Sequence, residues 1–146
     1  MGRGVRVLTF DDVAGLLARC DLPSDDLGHD DLAHFDTIVE GGRLIGVVSV
    51  QVAGDVAWLR SLAIDPEMRG RGLGGVLVRR AESRAKYAGA RSISLLTKTA
   101  EPFFAGLGYA KVGRDSAPAA VRAFKQFDAS CCTSGAFMTK PLHEAE

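Results

Sequence analysis

Residues 59–78, LRSLAIDPEMRGRGLGGVLV, constrain the fold more than any other stretch of this chain. An apolar strand pattern runs into a loop holding Arg69, Gly70, Arg71, Gly72, Leu73 and Gly74, and an amphipathic helical pattern follows at once. The glycines leave the backbone bare of side chains where the helix opens. First-turn N–H groups have no intrahelical acceptor, and the helix dipole is positive at that end. Phosphate binds well in such a place, and two arginines in the same loop add charge of the right sign. The sequence therefore sets a phosphorylated ligand, in the role of a cofactor, at this junction.

A length of 146 residues fits a single domain over 1–146, large enough to bury a core without staples. The hydrophobic fraction of 47% and the charged fraction of 25% are those of an ordinary globular protein. No apolar run has the length of a membrane span, no signal-like segment opens the chain, and three cysteines, two of them adjacent, make no disulfide framework. A cytoplasmic setting with no membrane partner is expected. The formal net charge of zero hides an asymmetry: residues 1–40 hold nine acids against three arginines, and residues 60–91 hold eight bases against three acids. Solvated helix faces explain part of the basic segment, and a docked polyphosphate explains its clustering better. Nucleic acid is not expected as a partner, since the whole chain lacks the basic excess such binding needs.

Alternation over 5–8 predicts a first strand. Thr9 or Asp11 is placed to cap a helix that turns Val13, Leu16 and Leu17 inward. A second short helix is predicted over 27–35. Strands at 37–40 and 43–52 flank Gly41-Gly42 as a tight hairpin, with Gly46 marking a bulge, and a third antiparallel strand spans 56–64. The glycine loop then leads into a helix over 72–87 with Leu73, Val76, Leu77, Ala81 and Ala85 on one stripe. A strand at 92–96 completes a parallel strand–helix–strand crossover. A short helix from Pro102 to Leu107, a segment at 110–113, a helix over 118–127 and a strand over 135–140 finish a mixed α/β (α+β) domain.

Gly70, Gly72 and Gly75 satisfy the dinucleotide fingerprint G-x-G-x-x-G, but its context is wrong here. That fingerprint follows the first strand of a parallel unit, and its next strand ends in an acid, whereas Leu95-Leu96-Thr97 offers none. The register Arg69-x-x-Gly72-x-Gly74 after Leu62-Ala63-Ile64-Asp65-Pro66 instead resembles the acyl-CoA signature of the GNAT superfamily of N-acetyltransferases. A second segment, Phe103-Phe104-Ala105-Gly106-Leu107-Gly108-Tyr109, is similar to that superfamily's helix-to-strand motif. The resemblance covers the whole chain in element order. It implies the GNAT fold, a mixed central sheet with helices on both faces, and acetyl-CoA as donor. The loop amides of Arg69, Gly70, Arg71, Gly72, Leu73 and Gly74 would hold the coenzyme A pyrophosphate, the backbone of Leu62, Ala63 and Ile64 would pair with the pantetheine arm, and Phe104 would line the coenzyme. Pairing of two copies through C-terminal strands, giving a homodimer, is common among such relatives.

The C-terminal third narrows the likeness. Residues 114–122, Gln126-Phe127, Cys131-Cys132 and 136–140, with Trp58–Leu62 and the double Phe, resemble the short arsenic-resistance N-acetyltransferases, whose relatives acetylate small amino acids carrying an arsenic or phosphorus acid group. Cys132 departs from that pattern, which has proline after the cysteine. The implied acceptor is a small amine with an anionic group. Arg60 is always charged and so is no base, but it can grip an oxyanion bidentately; Arg114 and Arg122 are candidates for the same anion. Phe104 stands where the superfamily often has tyrosine, so the proton for the leaving thiolate falls to Thr97 or Thr99 through water, or to no group at all. His34 is the one histidine worth testing as base. Tyr109 reads as packing. No metal site is expected: Cys131-Cys132 with Cys20 could bind a soft ion, yet inert thiols are commoner. Acetylation of peptides and a non-catalytic sensor of acetyl-CoA or metalloid are the competing readings.

Overall fold

The computed structural model describes residues 9–20, 22, 34–124 and 135–142. The first of its helices, α1 (Phe10–Arg19), starts at Thr9, whose hydroxyl accepts from the Asp12 amide while the Asp12 carboxylate accepts from the Thr9 amide. This reciprocal capping box satisfies two amides that a helix start would otherwise leave open. Thr9, not Asp11, is the cap, and Val13, Leu16 and Leu17 are buried as the periodicity predicts. The predicted strand at 5–8 lies outside the described residues, as does the predicted second helix up to residue 33. Phe35, assigned to that helix from the sequence, instead opens strand β1 (Phe35–Glu40), opposite Ser49.

Strand β2 (Arg43–Ala53) returns antiparallel through Gly41 and Gly42, whose φ of +58° and +75° suit a primed hairpin turn. The register skips Ile45: Ile38 faces Gly46 and Val39 faces Leu44. The bulge expected at Gly46 is therefore real. A Cβ at Gly46 would press on two side-chain ends, Ile64 Cδ1 at 3.0 Å and Leu77 Cδ1 at 3.1 Å, which would have to give by a few tenths of an ångström. Strand β3 (Val56–Ile64), helix α2 (Leu73–Tyr87) and strand β4 (Ser92–Thr97) follow. β4 runs parallel to β3, as the crossover reading requires. The buried stripe of α2 is Leu77, Val78, Ala81 and Ala85, while Leu73 and Val76 remain half-buried. Helix α3 (Glu101–Ala105), strand β5 (Ala110–Lys111), helix α4 (Ala119–Arg122) and strand β6 (Ala136–Pro141) complete the described chain. The six-stranded sheet has the order β1-β2-β3-β4-β6-β5. No helix among the described residues is long and apolar enough to cross a membrane.

α4 is shorter than the 118–127 predicted, as far as the described residues go, and its packing explains why. The chain leaves the helix at Ala123, and Phe124 stacks on Trp58 with centroids 5.7 Å apart. Within the segment at 110–113, Ala110 and Lys111 form β5.

The described chain forms two compact units. One contains α1, β1, the hairpin half of β2, the end of β3 and the start of α2. Its core is Val13, Leu16, Leu17, Phe35, Leu44, Val47 and Ala63. The other contains residues 50–60 and everything from Glu82 onward. Its core includes Val56, Trp58, Ala117, Val121 and Phe137.

The first unit has an ionic node that the sequence does not reveal. Asp65, with 2% of its side chain exposed, accepts from Arg43 Nη2 at 2.6 Å, Arg19 Nη2 at 3.0 Å and the Glu67 amide at 3.0 Å. Its own amide donates to the Ile45 carbonyl at 2.8 Å. The hydrogen bond from the Glu67 amide and then the two guanidiniums hold its carboxyl below the ordinary range. A depressed folded value stabilises above the unfolded value near about 4 and is lost as pH falls through it. Asp65→Asn should therefore lower Tm at pH 7 and flatten the fall of Tm with acid below about pH 4; an unchanged acid limb in thermal melts would show that the node contributes nothing.

Candidate functional site

The glycine loop is built as an opening. A 3₁₀ turn (Pro66–Met68), capped by the Asp65 side chain, ends β3 and delivers Arg69 in extended conformation. Gly70 and Gly72 follow with φ of +86° and +78°, left-handed values that side-chain-bearing residues rarely adopt. A Cβ on either would meet no atom within 4 Å. These glycines are thus required by the path of the backbone and open onto free space, not onto protein. The first hydrogen bond of α2 runs from the Val76 amide to the Gly72 carbonyl at 3.3 Å, so the amides of Leu73, Gly74 and Gly75 precede the helical ladder. α2 has no acid in its first turn, whereas α1 carries Asp11 and Asp12 there. The positive end of α2 has no carboxylate of its own helix to answer it.

The loop arginines are both engaged. Arg69 Nε donates to the Ile64 carbonyl at 3.2 Å, and its Nη2 lies 3.5 Å from Cys20 Sγ. The Cys20 thiol donates to the same Ile64 carbonyl at 3.3 Å. Of the backbone groups offered to a ligand by Leu62, Ala63 and Ile64, the Ile64 carbonyl is therefore already taken. Arg71 forks over Glu40, with Nη2–Oε2 at 2.9 Å and Nη1–Oε1 at 3.2 Å. The hydrogen bond from Arg71 keeps the Glu40 carboxyl below its usual range, and Glu40 in turn raises Arg71. Arg80 of α2 similarly donates to the Thr37 carbonyl and lies 3.9 Å from Asp36. Part of the basic excess over 60–91 is thus answered by β1, an internal use that the sequence reading gave to a ligand.

β3 carries a second irregularity. Ser61, between Arg60 and Leu62, has φ +59° and is the one non-glycine with positive φ among the described residues. Held strain of this kind concentrates at working sites. The parallel ladder pairs Val56–Trp58 with Ser92–Ser94 and includes no described residue of β3 beyond Trp58. Leu62, Ala63 and Ile64 share the first unit with Arg69, Gly70, Arg71, Gly72, Leu73 and Gly74. Arg60, Thr97, Phe104, Arg114 and Arg122 belong to the second unit.

In that second unit Thr97 Oγ1 accepts from the Ala100 amide at 3.0 Å, which leaves its O–H proton to donate. Phe104 is buried and meets Phe103 and Tyr109 edge-on at 5.0 and 5.5 Å. Tyr109 is packing, as its position suggested, but its hydroxyl is also committed. It donates to Glu82 Oε2 at 2.9 Å. Lys140 Nζ donates to both Glu82 oxygens at 3.1 Å and to the Leu107 carbonyl at 2.9 Å. Burial first, then the Glu82 carboxylate, pushes the phenol far above its ordinary value. Neither Glu82 nor Lys140 carried a sequence signal, because they lie 58 residues apart.

Arg122 spends its guanidinium on main chain, donating to the carbonyls of Ala117 at 3.0 Å and Asp115 at 2.9 Å, and at 3.5 Å to that of Arg114. It fastens the 114–117 segment that carries Arg114. His34 is half-buried beside β1, while His29, His143, Gln126, Phe127 and Cys131-Cys132 lie outside the described residues. Among the described residues no three metal-type side chains gather.

Known proteins resemble this arrangement. An amino-acid acetyltransferase of Pseudomonas putida is 30% identical over 128 residues, which cover 80% of this chain and 29% of that protein. The chain thus spans less than a third of the length of that curated relative. N-acetylglutamate synthase from Neisseria gonorrhoeae, solved with coenzyme A and N-acetyl-glutamate, superposes with a TM-score of 0.82 at 18% identity, over 96% of this chain and 35% of that one. Rv2747 from Mycobacterium tuberculosis, in complex with CoA and NLQ, gives 0.72 at 20% identity, over 91% and 95%. Both likenesses fix the fold, with its six-stranded mixed sheet, as that of the acyl-CoA N-acyltransferases. A family model described as acetyltransferase (GNAT) matches residues 10–109, and on that match the chain belongs to the GNAT acetyltransferase family.

Proposed function

We propose that this chain is an acetyl-CoA-dependent N-acetyltransferase whose acceptor is a small amine bearing an anionic group. The amino-acid class is favoured, including amino acids with an arsenic or phosphorus acid group. One observation carries the coenzyme assignment: α2 opens on left-handed glycines over free space, with no acid in its first turn. That arrangement fits a diphosphate, which brings its own charge and acceptors to the waiting amides. Leu73 and Gly74 supply first-turn amides, and Arg69, Gly70, Arg71 and Gly72 wrap the approach. Leu62 and Ala63 offer strand backbone to an amide-bearing arm, in the manner of an added strand. Acetyl-CoA supplies an acetyl group already activated as a thioester.

On the acceptor side the chain's own residues do the positioning. Arg60 holds the acceptor's anion bidentately and keeps its amine oriented. Arg114 is the second cation for that anion, and Arg122 shapes the segment that presents it. Thr97 is the proton donor toward the leaving thiol, its oxygen being anchored on Ala100. Tyr109 is not, because its hydroxyl is buried and given to Glu82. Support for an amino-acid acceptor comes from the P. putida relative's own designation. The reading retains Phe104 against the coenzyme, a single domain, a cytoplasmic setting and the pairing of two copies through C-terminal strands.

Two measurements test this. Gly72→Leu forces a side chain into both a left-handed backbone position and the anion's place, so calorimetric affinity for coenzyme A should fall by about tenfold or more with the fold retained. Unchanged affinity would remove the loop from the coenzyme site. Arg60→Ala should raise the acceptor KM by roughly 10–100-fold, the loss of a charge-assisted pair, and leave coenzyme A affinity unaltered. The acceptor is sought by thiol release from acetyl-CoA over amino acids and their phosphinic and arsenic analogues. Tight coenzyme binding with no turnover on any of them would mean a sensor, not an enzyme.

A further inference from the structure

The Arg71–Glu40 pair has a geometry that bears on the ligand. Glu40 is the last residue of β1, where it pairs with Arg43 across the hairpin turn. Its two carboxylate oxygens face the two terminal nitrogens of Arg71 at 2.9 and 3.2 Å. A carboxylate and a phosphate engage a guanidinium through the same planar fork. In the proposed coenzyme loop, therefore, an internal carboxylate already sits in the position that a phosphate oxygen pair would take on Arg71. Both partners are about half exposed, at 47% and 45% of their side chains. Such pairs contribute little and exchange readily.

We infer that Glu40 is a specificity-determining latch: it occupies the Arg71 fork until a multiply charged anion displaces it. This rests on the coenzyme reading above. Glu40 carries one charge and two acceptor atoms. A diphosphate diester carries two charges, more acceptors, and simultaneous access to the amides that open α2, so it wins the exchange. A small monoanion, such as a free carboxylic acid, offers Arg71 nothing that Glu40 does not already give. The latch thus keeps the loop clear of abundant monoanions and lowers the affinity for the coenzyme itself, since the pair must open first. Arg69 is not latched this way, because its partners are a carbonyl and a thiol rather than a carboxylate.

The test is calorimetric titration of coenzyme A, and separately of inorganic pyrophosphate, into the full chain. Glu40→Gln removes one negative charge and frees the fork, so both ligands should bind about 3–10-fold more tightly at low salt, and the gain should shrink at high salt. Acetate should then compete measurably in Glu40→Gln and not in the wild type. In an Arg71→Ala background the same Glu40 substitution should change affinity less than about twofold. Weaker binding by Glu40→Gln would mean that Glu40 pre-positions Arg71, and would overturn the latch. An equal gain with and without Arg71 would overturn it too, as a field effect needing no fork. A wild type that binds no coenzyme A would defeat both the latch and the coenzyme reading, whereas binding that Glu40→Gln leaves unchanged would defeat the latch alone.

Discussion

α2 starts directly after Gly72, a residue with no side chain to cap it, and much of the first unit is arranged around that start. At α1 the Thr9 hydroxyl and the Asp12 carboxylate close the first turn from within the chain. At α2 the equivalent oxygen is missing, the preceding glycines hold left-handed conformations, and no acid stands in the first turn. A helix end left in this state is tolerable in water but carries an unanswered partial positive charge. The loop can afford that only because other elements fix its path. Asp65 caps the turn before it, Arg69 ties it to the Ile64 carbonyl, and Arg71 ties it to Glu40.

Asp65 links these restraints. One buried carboxylate accepts from Arg19 of α1, Arg43 of β2 and the Glu67 amide, so three segments far apart in sequence converge at the mouth of the glycine loop. The bulge at Ile45 belongs to the same arrangement, since the Ile45 carbonyl receives the Asp65 amide and Gly46 makes room for Ile64 and Leu77. Ser61 adds a kink in the strand leading there. Open amides hold a ligand well only if their positions are set beforehand.

Local features of this arrangement were legible in the sequence. The hairpin at Gly41-Gly42, the bulge at Gly46, the α2 loop and the α1 core residues all follow from spacing and turn chemistry within a few residues. What escaped was long-range or conformational. Asp65 reads as an ordinary strand-ending acid until Arg19 and Arg43 are brought to it, and Glu82 as a solvated helix residue until Tyr109 and Lys140 reach it. No residue type announces the left-handed Ser61. The helix predicted over 118–127 runs too long for a related reason: helical propensity continues past the point where Phe124 turns onto Trp58.

The charge asymmetry that first suggested a polyphosphate takes on a different meaning once its pairs are known. Glu40 and Asp36 of the acidic half face Arg71 and Arg80 of the basic half, while Arg19 and Arg43 converge on Asp65. Two of the eight bases over 60–91, Arg71 and Arg80, are thus answered by acids of β1, and simple cation density does not single out the loop. What distinguishes it is the set of amides at the α2 start, which no side chain of the helix's own first turn answers. Amides at a helix start attract any anion weakly and a diphosphate strongly, because only the latter spans several of them at once. On the proposed coenzyme reading, selectivity starts from this backbone geometry, and the Glu40–Arg71 fork sharpens a preference that the glycines set.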